Sequence, residues 1–179
     1  MAKPPDAHTE ALLKVADAIG ALMEFWGFRR NMGRLWALLY LSPEPLSAAD
    51  ISDALSLSAG AVSMTLGELS GWGAVKKSWV PGERRDYYSP EVSIWKMVSR
   101  VFRERELRQI EGAIEAFQET MGTLDTRGQA PSREAFTKER LGRLLELAEV
   151  GKSLLEAVLS GESIDALPLV QLTEAHRRD

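Results

Sequence analysis

Between residues 8 and 28 the apolar side chains return every three or four positions, at Leu12, Val15, Ile19, Leu22, Met23 and Trp26. That period predicts a helix with one buried face, and Gly27 is a natural stop. A second helix is predicted over 31–41, with Leu35, Leu38 and Leu39 inward. Ser42-Pro43-Glu44-Pro45 then ends it, because proline lacks a donor and restricts the residue before it. In Ser47-Ala48-Ala49-Asp50 the spacing fits a capping box, in which hydroxyl and carboxylate each satisfy a free backbone N–H. A short helix follows, with Ile51 and Leu55 inward.

Ser56-Leu57-Ser58 reads as a tight turn, and Ser58 is placed to cap a further helix. There Val62, Leu66 and Leu69 form an inward stripe, and Gly71 and Gly73 mark the end. Two short helices joined by so brief a turn follow the helix-turn-helix plan. The second helix is expected to turn outward Ala59, Gly60, Ala61, Ser63, Met64 and Thr65. All are small or slim, as suits a helix lying in a major groove.

The pattern then changes to a strand, Val75 to Val80, a turn at Pro81-Gly82-Glu83-Arg84-Arg85-Asp86, and a returning strand at Tyr87-Tyr88-Ser89. A hairpin directly after a helix-turn-helix is a wing. Here Lys76 and Lys77 lie on one leg and Arg84 and Arg85 at the tip. From Glu91 to Thr126 a long helix is predicted. Its residues Ile110, Ile114, Phe117, Met121 and Leu124 make a heptad seam; Arg103–Glu106 interrupts the apolar face, and Glu104 and Arg108 sit in the favourable i, i+4 order. After a loop at 127–131, another helix is expected over 132–160, with Leu141, Leu144, Leu145, Ala148, Leu155 and Val158 inward. A last helix is expected around 167–176.

The fold class expected is therefore mainly α (α+β): a winged helix-turn-helix domain with a three-element wing sheet, and long C-terminal dimerisation helices. The domains are expected at 1–90 and 91–179. With 179 residues and 45% hydrophobic composition, the chain can bury a real core. It has no cysteine and only two histidines, His8 and His176. Disulfides and thiolate metal sites are thereby excluded, and a structural zinc site finds too few ligands. No cofactor is expected. The polar start lacks the plan of a signal peptide, and no apolar run approaches the roughly 20 residues of a membrane span, so a soluble, cytoplasmic protein without membrane contact is expected. The formal net charge of −4 argues against nucleic acid only as an average; binding needs a local basic patch.

Three runs carry a family resemblance. They are Leu57-Ser58-Ala59-Gly60-Ala61-Val62-Ser63-Met64-Thr65-Leu66 with Leu69 and Trp72-Gly73-Ala74-Val75; Pro81-Gly82-Glu83-Arg84-Arg85-Asp86-Tyr87-Tyr88; and Trp95 with Phe102-Arg103-Glu104-Arg105-Glu106. Together they resemble the MarR-type regulators, and within them the GbsR-like branch. The resemblance implies a homodimer with two winged domains and a helical dimerisation region. It also implies repressors or dual regulators, some responsive to small molecules.

The expected function is that of a transcriptional regulator, a repressor, binding an inverted-repeat operator in double-stranded DNA as a homodimer. The alternative is a winged-helix module that binds protein instead. Phosphate contacts fall to Lys76, Lys77, Arg84 and Arg85, with Arg29, Arg30 and Arg34 around the start of the second helix, since the reading helix carries no cation of its own. Base reading falls to Ser63, Thr65, Ala61 and Met64, and the free N–H groups near Ser58 and Gly60 offer a phosphate seat. For an effector, Trp26, Trp36 and Trp95 suggest an aromatic cage for a quaternary ammonium ion; the competing reading makes them core residues. No nucleophile–base pairing, phosphate loop or metal motif points to an enzyme.

Overall fold

The computed structural model describes residues 7–126 and 132–161. The loop expected at 127–131 and the helix expected around 167–176 lie outside the described residues. The chain divides between Met97 and Val98 into two compact units, seven residues later than the 90/91 boundary expected. Met97 accounts for the difference, since it packs against the core of the first unit.

In the first unit α1 spans Ala7–Phe25, α2 Arg30–Leu41, α3 Ala48–Leu55 and α4 Ala59–Gly71, with strands β1 Leu46–Ser47, β2 Val75–Ser78 and β3 Tyr87–Pro90. The core is built from Met32, Leu35, Leu38 and Leu39 of α2, Ile51 and Leu55 of α3, Val62, Leu66 and Leu69 of α4, and Ala74 and Val75 leading the sheet. The predicted apolar stripes of α2, α3 and α4 thus meet in one cluster.

The ends of these helices follow from named residues. α1 closes at Gly27, whose φ of 78° lets Gly27 N–H reach Glu24 O at 2.9 Å and Phe28 N–H reach Met23 O at 2.9 Å. α3 opens on the capping box: Ser47 N–H donates to Asp50 Oδ2 at 2.9 Å and Asp50 N–H to Ser47 Oγ at 3.3 Å. α4 opens on Ser58, whose Oγ accepts from Ala61 N–H at 3.2 Å.

α1 departs from the expected face. Ala16 and Gly20 are its buried residues, while Val15, Leu22 and Trp26 of the predicted stripe are exposed, with Phe25 82% exposed beside them. The cause is a close helix crossing. A Cβ on Gly33 would stand 2.6 Å from Ile19 O and 2.8 Å from Gly20 Cα, so α2 meets α1 along its small residues. Arg34 Nε and Asp17 Oδ1, 2.7 Å apart, add an ion pair across the same contact.

The sheet is antiparallel with order β1-β3-β2. Ser47 faces Tyr87 across one ladder, and Lys76 and Lys77 face Ser89 and Tyr88 across the other. β1 therefore ties the turn-side half of β3 to the start of α3. This is the three-element wing sheet expected. Its strand β2 ends at Ser78, two residues before the predicted Val80.

α5, Ile94–Val101, starts three residues later than expected. Glu91 instead extends the sheet, donating its N–H to Ala74 O at 2.8 Å. In the second unit the long helix is interrupted by a π-helical turn, Phe102–Leu107, before α6, Arg108–Thr126. A π turn adds a residue and rotates the helix beyond it. It brings Leu107 into line with the seam of Ile110, Ile114, Phe117, Met121 and Leu124, all half-buried. It also breaks the expected Glu104–Arg108 pairing; Glu104 bonds Arg100 at 2.7 Å instead.

α7, Ser132–Ser160, packs on α6. Its inward line runs Leu141, Leu145, Ala148, Lys152, Leu155, Leu159, with the Lys152 ammonium on Glu111 at 2.9 Å. Leu144 and Val158, expected inward, lie one residue off that line and are exposed.

Candidate nucleic-acid interface

The outward side of α4 is bare. Val62, Thr65, Leu66 and Leu69 bury one side of the helix. Gly60, Met64, Gly67 and Gly71 therefore fall along the opposite line, given about 100° per residue. A Cβ on Gly60, Gly67 or Gly71 would meet nothing within 4 Å. Ser58 and Ser63 are exposed, and Ala61 is half-buried. Thr65 corrects the expectation: it is 2% exposed. It precedes Leu66 and follows Val62 by three, so the inward stripe takes it in, and it offers no contact to a duplex.

Arg29, just before α2, reaches this helix. Its Nη1 lies 2.9 Å from Met64 Sδ and 3.1 Å from Glu68 Oε1. It therefore stands at the edge of the outward face with part of its charge answered. Arg30 turns the other way, 3.8 Å from Glu24 of α1. The two arginines, equivalent in sequence, are not equivalent in space.

On the hairpin, Lys76 and Lys77 are both exposed on successive positions of β2. Lys77 Nζ sits 2.6 Å from Asp86 Oδ2, and that carboxylate holds the ammonium above the usual lysine range. Arg84 and Arg85 are exposed in the turn, and neither forms an ion pair within 4.0 Å among the described residues. The Asp50 carboxyl is held below the usual carboxylate range, mainly by the Ser47 hydroxyl and then by the Ser47 N–H. Arg85 contributes to that lowering from the wing side, so its positive charge is felt at the start of α3. Sequence reasoning missed Gly67 on the bare face, and Glu68 and Asp86 as neighbours of the cations. Of these only Gly67, seven residues beyond Gly60, is readable from spacing.

The three tryptophans do not form a cage. Trp36 stacks on Tyr40, ring centroids 4.8 Å apart at 25°, and packs against the core. Trp26 and Trp95 are exposed, and no ring contact joins any two of the three among the described residues. Among the described residues no group of three or more His, Asp or Glu could hold a metal ion, and no helix is long and apolar enough to cross a membrane.

No protein-family model matches the chain. The HTH-type transcriptional repressor GbsR of Bacillus subtilis (strain 168) is 22% identical over 162 residues, which span 87% of this chain and 89% of that one. A crystal structure of a transcriptional regulator superimposes with a TM-score of 0.55 and 20% identity, over 84% of this chain and 96% of its own. The S. aureus MepR–DNA complex aligns over 76% of this chain and 90% of that one, at a TM-score of 0.38 and 19% identity. The chain is thus similar in sequence to the GbsR repressor along nearly its whole length and shares the fold of a solved transcriptional regulator over most of it.

Proposed function

We propose that the chain is a DNA-binding transcriptional regulator, and more narrowly a cytoplasmic, non-catalytic repressor that binds an inverted repeat as a homodimer. The observation that carries the reading is the pairing of a slim outward face on α4 with a hairpin whose Arg84 and Arg85 have no acidic partner within 4.0 Å among the described residues. A helix with glycines outward approaches a groove floor closely, and unpaired guanidinium groups neutralise phosphates. Ser63, Met64 and Ala61 read base edges. The N–H groups around Ser58 and Gly60 seat a phosphate, Ser58 Oγ being already spent on Ala61. Arg29, Lys76 and Lys77 add charge, with Lys77 and Arg29 partly answered by Asp86 and Glu68. Arg30, turned toward Glu24, contributes least.

The dimer is supported by two apolar stripes left open among the described residues, Val15, Leu22 and Phe25 of α1 with Trp26 just beyond it, and Phe136, Leu144, Leu147 and Val158 on α7. A second copy is the occupant that the family resemblance implies. An effector has no built site in this reading, and regulation by protein level alone fits equally.

Duplex binding measured against salt tests the proposal. The parent is expected to bind its own upstream region with a steep salt dependence, and Arg85→Ala to weaken binding to all sequences while flattening the slope. A parent that ignores duplex DNA in dilute salt but captures protein would establish the interaction-module alternative.

A further inference from the structure

Trp79 stands one residue beyond β2, at the start of the turn that carries Arg84 and Arg85, and is 80% exposed. It makes no ring contact among the described residues. Other aromatics of the first unit find cover: Phe28 meets Trp72 edge-on at 5.5 Å, and Trp36 lies against Tyr40. Phe25, Trp26 and Trp95 are exposed too, but Phe25 and Trp26 belong to the apolar stripe at α1 and Trp95 adjoins the exposed Ile94; Trp79 has no such stripe around it. An indole held in water forgoes the burial that makes tryptophan valuable to a fold. The hairpin core does not need it, since Ser78 and Ser89 already bond hydroxyl to hydroxyl across the strands and Glu83 N–H closes the turn on Val80 O at 3.2 Å.

Near Trp79 in the sequence Lys77 is held by Asp86, but three other cations have no such partner. Lys76 lies three residues before it, Arg84 and Arg85 follow in the same turn, and none of the three has an ion-pair partner within 4.0 Å among the described residues. A flat apolar surface on the same hairpin as such cations complements a groove wall, where sugars and base edges lie between two rows of phosphates. Proteins that enter the minor groove join arginines to apolar wedges in this way. We propose that Trp79 is a DNA-contacting residue of the hairpin, its indole packing against sugar and base edges between the phosphates gripped by Arg84 and Arg85. The proposal rests on the DNA-binding reading above, and it adds to an electrostatic grip a contact that salt does not screen.

That difference supplies the test. Full-length parent, Trp79→Ala, Trp79→Phe and Arg84→Ala are titrated with one fluorescently labelled duplex of the upstream region at several salt concentrations. Trp79→Ala is expected to weaken binding by about tenfold or more at every salt concentration, leaving the slope of log affinity against log salt unchanged. Trp79→Phe keeps most of the affinity, whereas Arg84→Ala flattens the slope. Thermal unfolding of Trp79→Ala matches the parent, because the side chain is already in water. Acrylamide quenching of tryptophan emission falls when duplex is added to the parent, and the fall is smaller in Trp79→Phe. Parent-like affinity for Trp79→Ala overturns the proposal and leaves the DNA-binding reading standing. So does duplex-induced protection that is equally large in the parent and in Trp79→Phe. A parent that binds no duplex overturns both.

Discussion

Asp50 performs two jobs at the start of α3. It returns the capping bond to Ser47, and it feels Arg85 across the base of the wing. Its carboxyl is lowered in the folded chain, so the stability it contributes is complete above the unfolded carboxylate value of about 4 and is lost as pH falls through the lower folded value. Asp50→Asn is expected to lower thermal stability at neutral pH and to bring it closer to the parent's in strong acid, as read by melting curves across pH 2–7. Ser47→Ala removes the other half of the box and should cost about 1 kcal/mol. On α4, Gly67 points into open space in mid-helix, where alanine would gain about 0.5–1 kcal/mol. Gly67→Ala is expected to melt higher and yet bind DNA less well, since its methyl stands where the duplex must come close. Equal or better binding would show that α4 keeps its distance from the groove.

Elements are held in place by close contacts that periodicity does not announce. The α1–α2 crossing at Gly20 and Gly33 is the sharpest: the neighbours of a new Cβ on Gly33 are backbone atoms and cannot turn aside. Gly33→Ala should push the helices apart and destabilise the first unit by about 1–3 kcal/mol, measured by denaturant unfolding. The same crossing explains where periodicity misleads. The recurrence of Leu12, Val15, Ile19, Leu22 and Trp26 makes a helix legible, but not which neighbour it meets; the small residues take that contact, and Val15, Leu22 and Trp26 are left outside. The helix-turn-helix and the hairpin are legible because capping box, turn and strand patterns are local. Thr65 is misleading because its hydroxyl suggests a surface while its spacing from Val62 and Leu69 puts it in the core. The Phe102–Leu107 π turn is visible only as a charged interruption in an apolar pattern, since its effect is a rotation that no single residue type encodes.

At the scale of the molecule, the exposed stripes on α1 and α7 are expected to close against a second copy. Light scattering should report a dimer for the parent, and Phe25→Asp with Leu22→Asp should shift it toward monomer without altering helix content. A parent that remains single at micromolar concentration would refute the two-fold arrangement. In the proposed cytoplasmic setting such a protein, acidic overall, would meet RNA and other loose polyanions that compete for any basic surface. Asp86 already holds the Lys77 ammonium at 2.6 Å, so a passing strand must displace a resident carboxylate to win that lysine, at the small cost of parting so exposed a pair. A duplex that engages α4 and the hairpin together compensates for the eviction through its other contacts. On the proposed DNA-binding reading, the ion pair on the wing would therefore weigh slightly against casual ligands, sharpening the choice of target while sacrificing some grip on it.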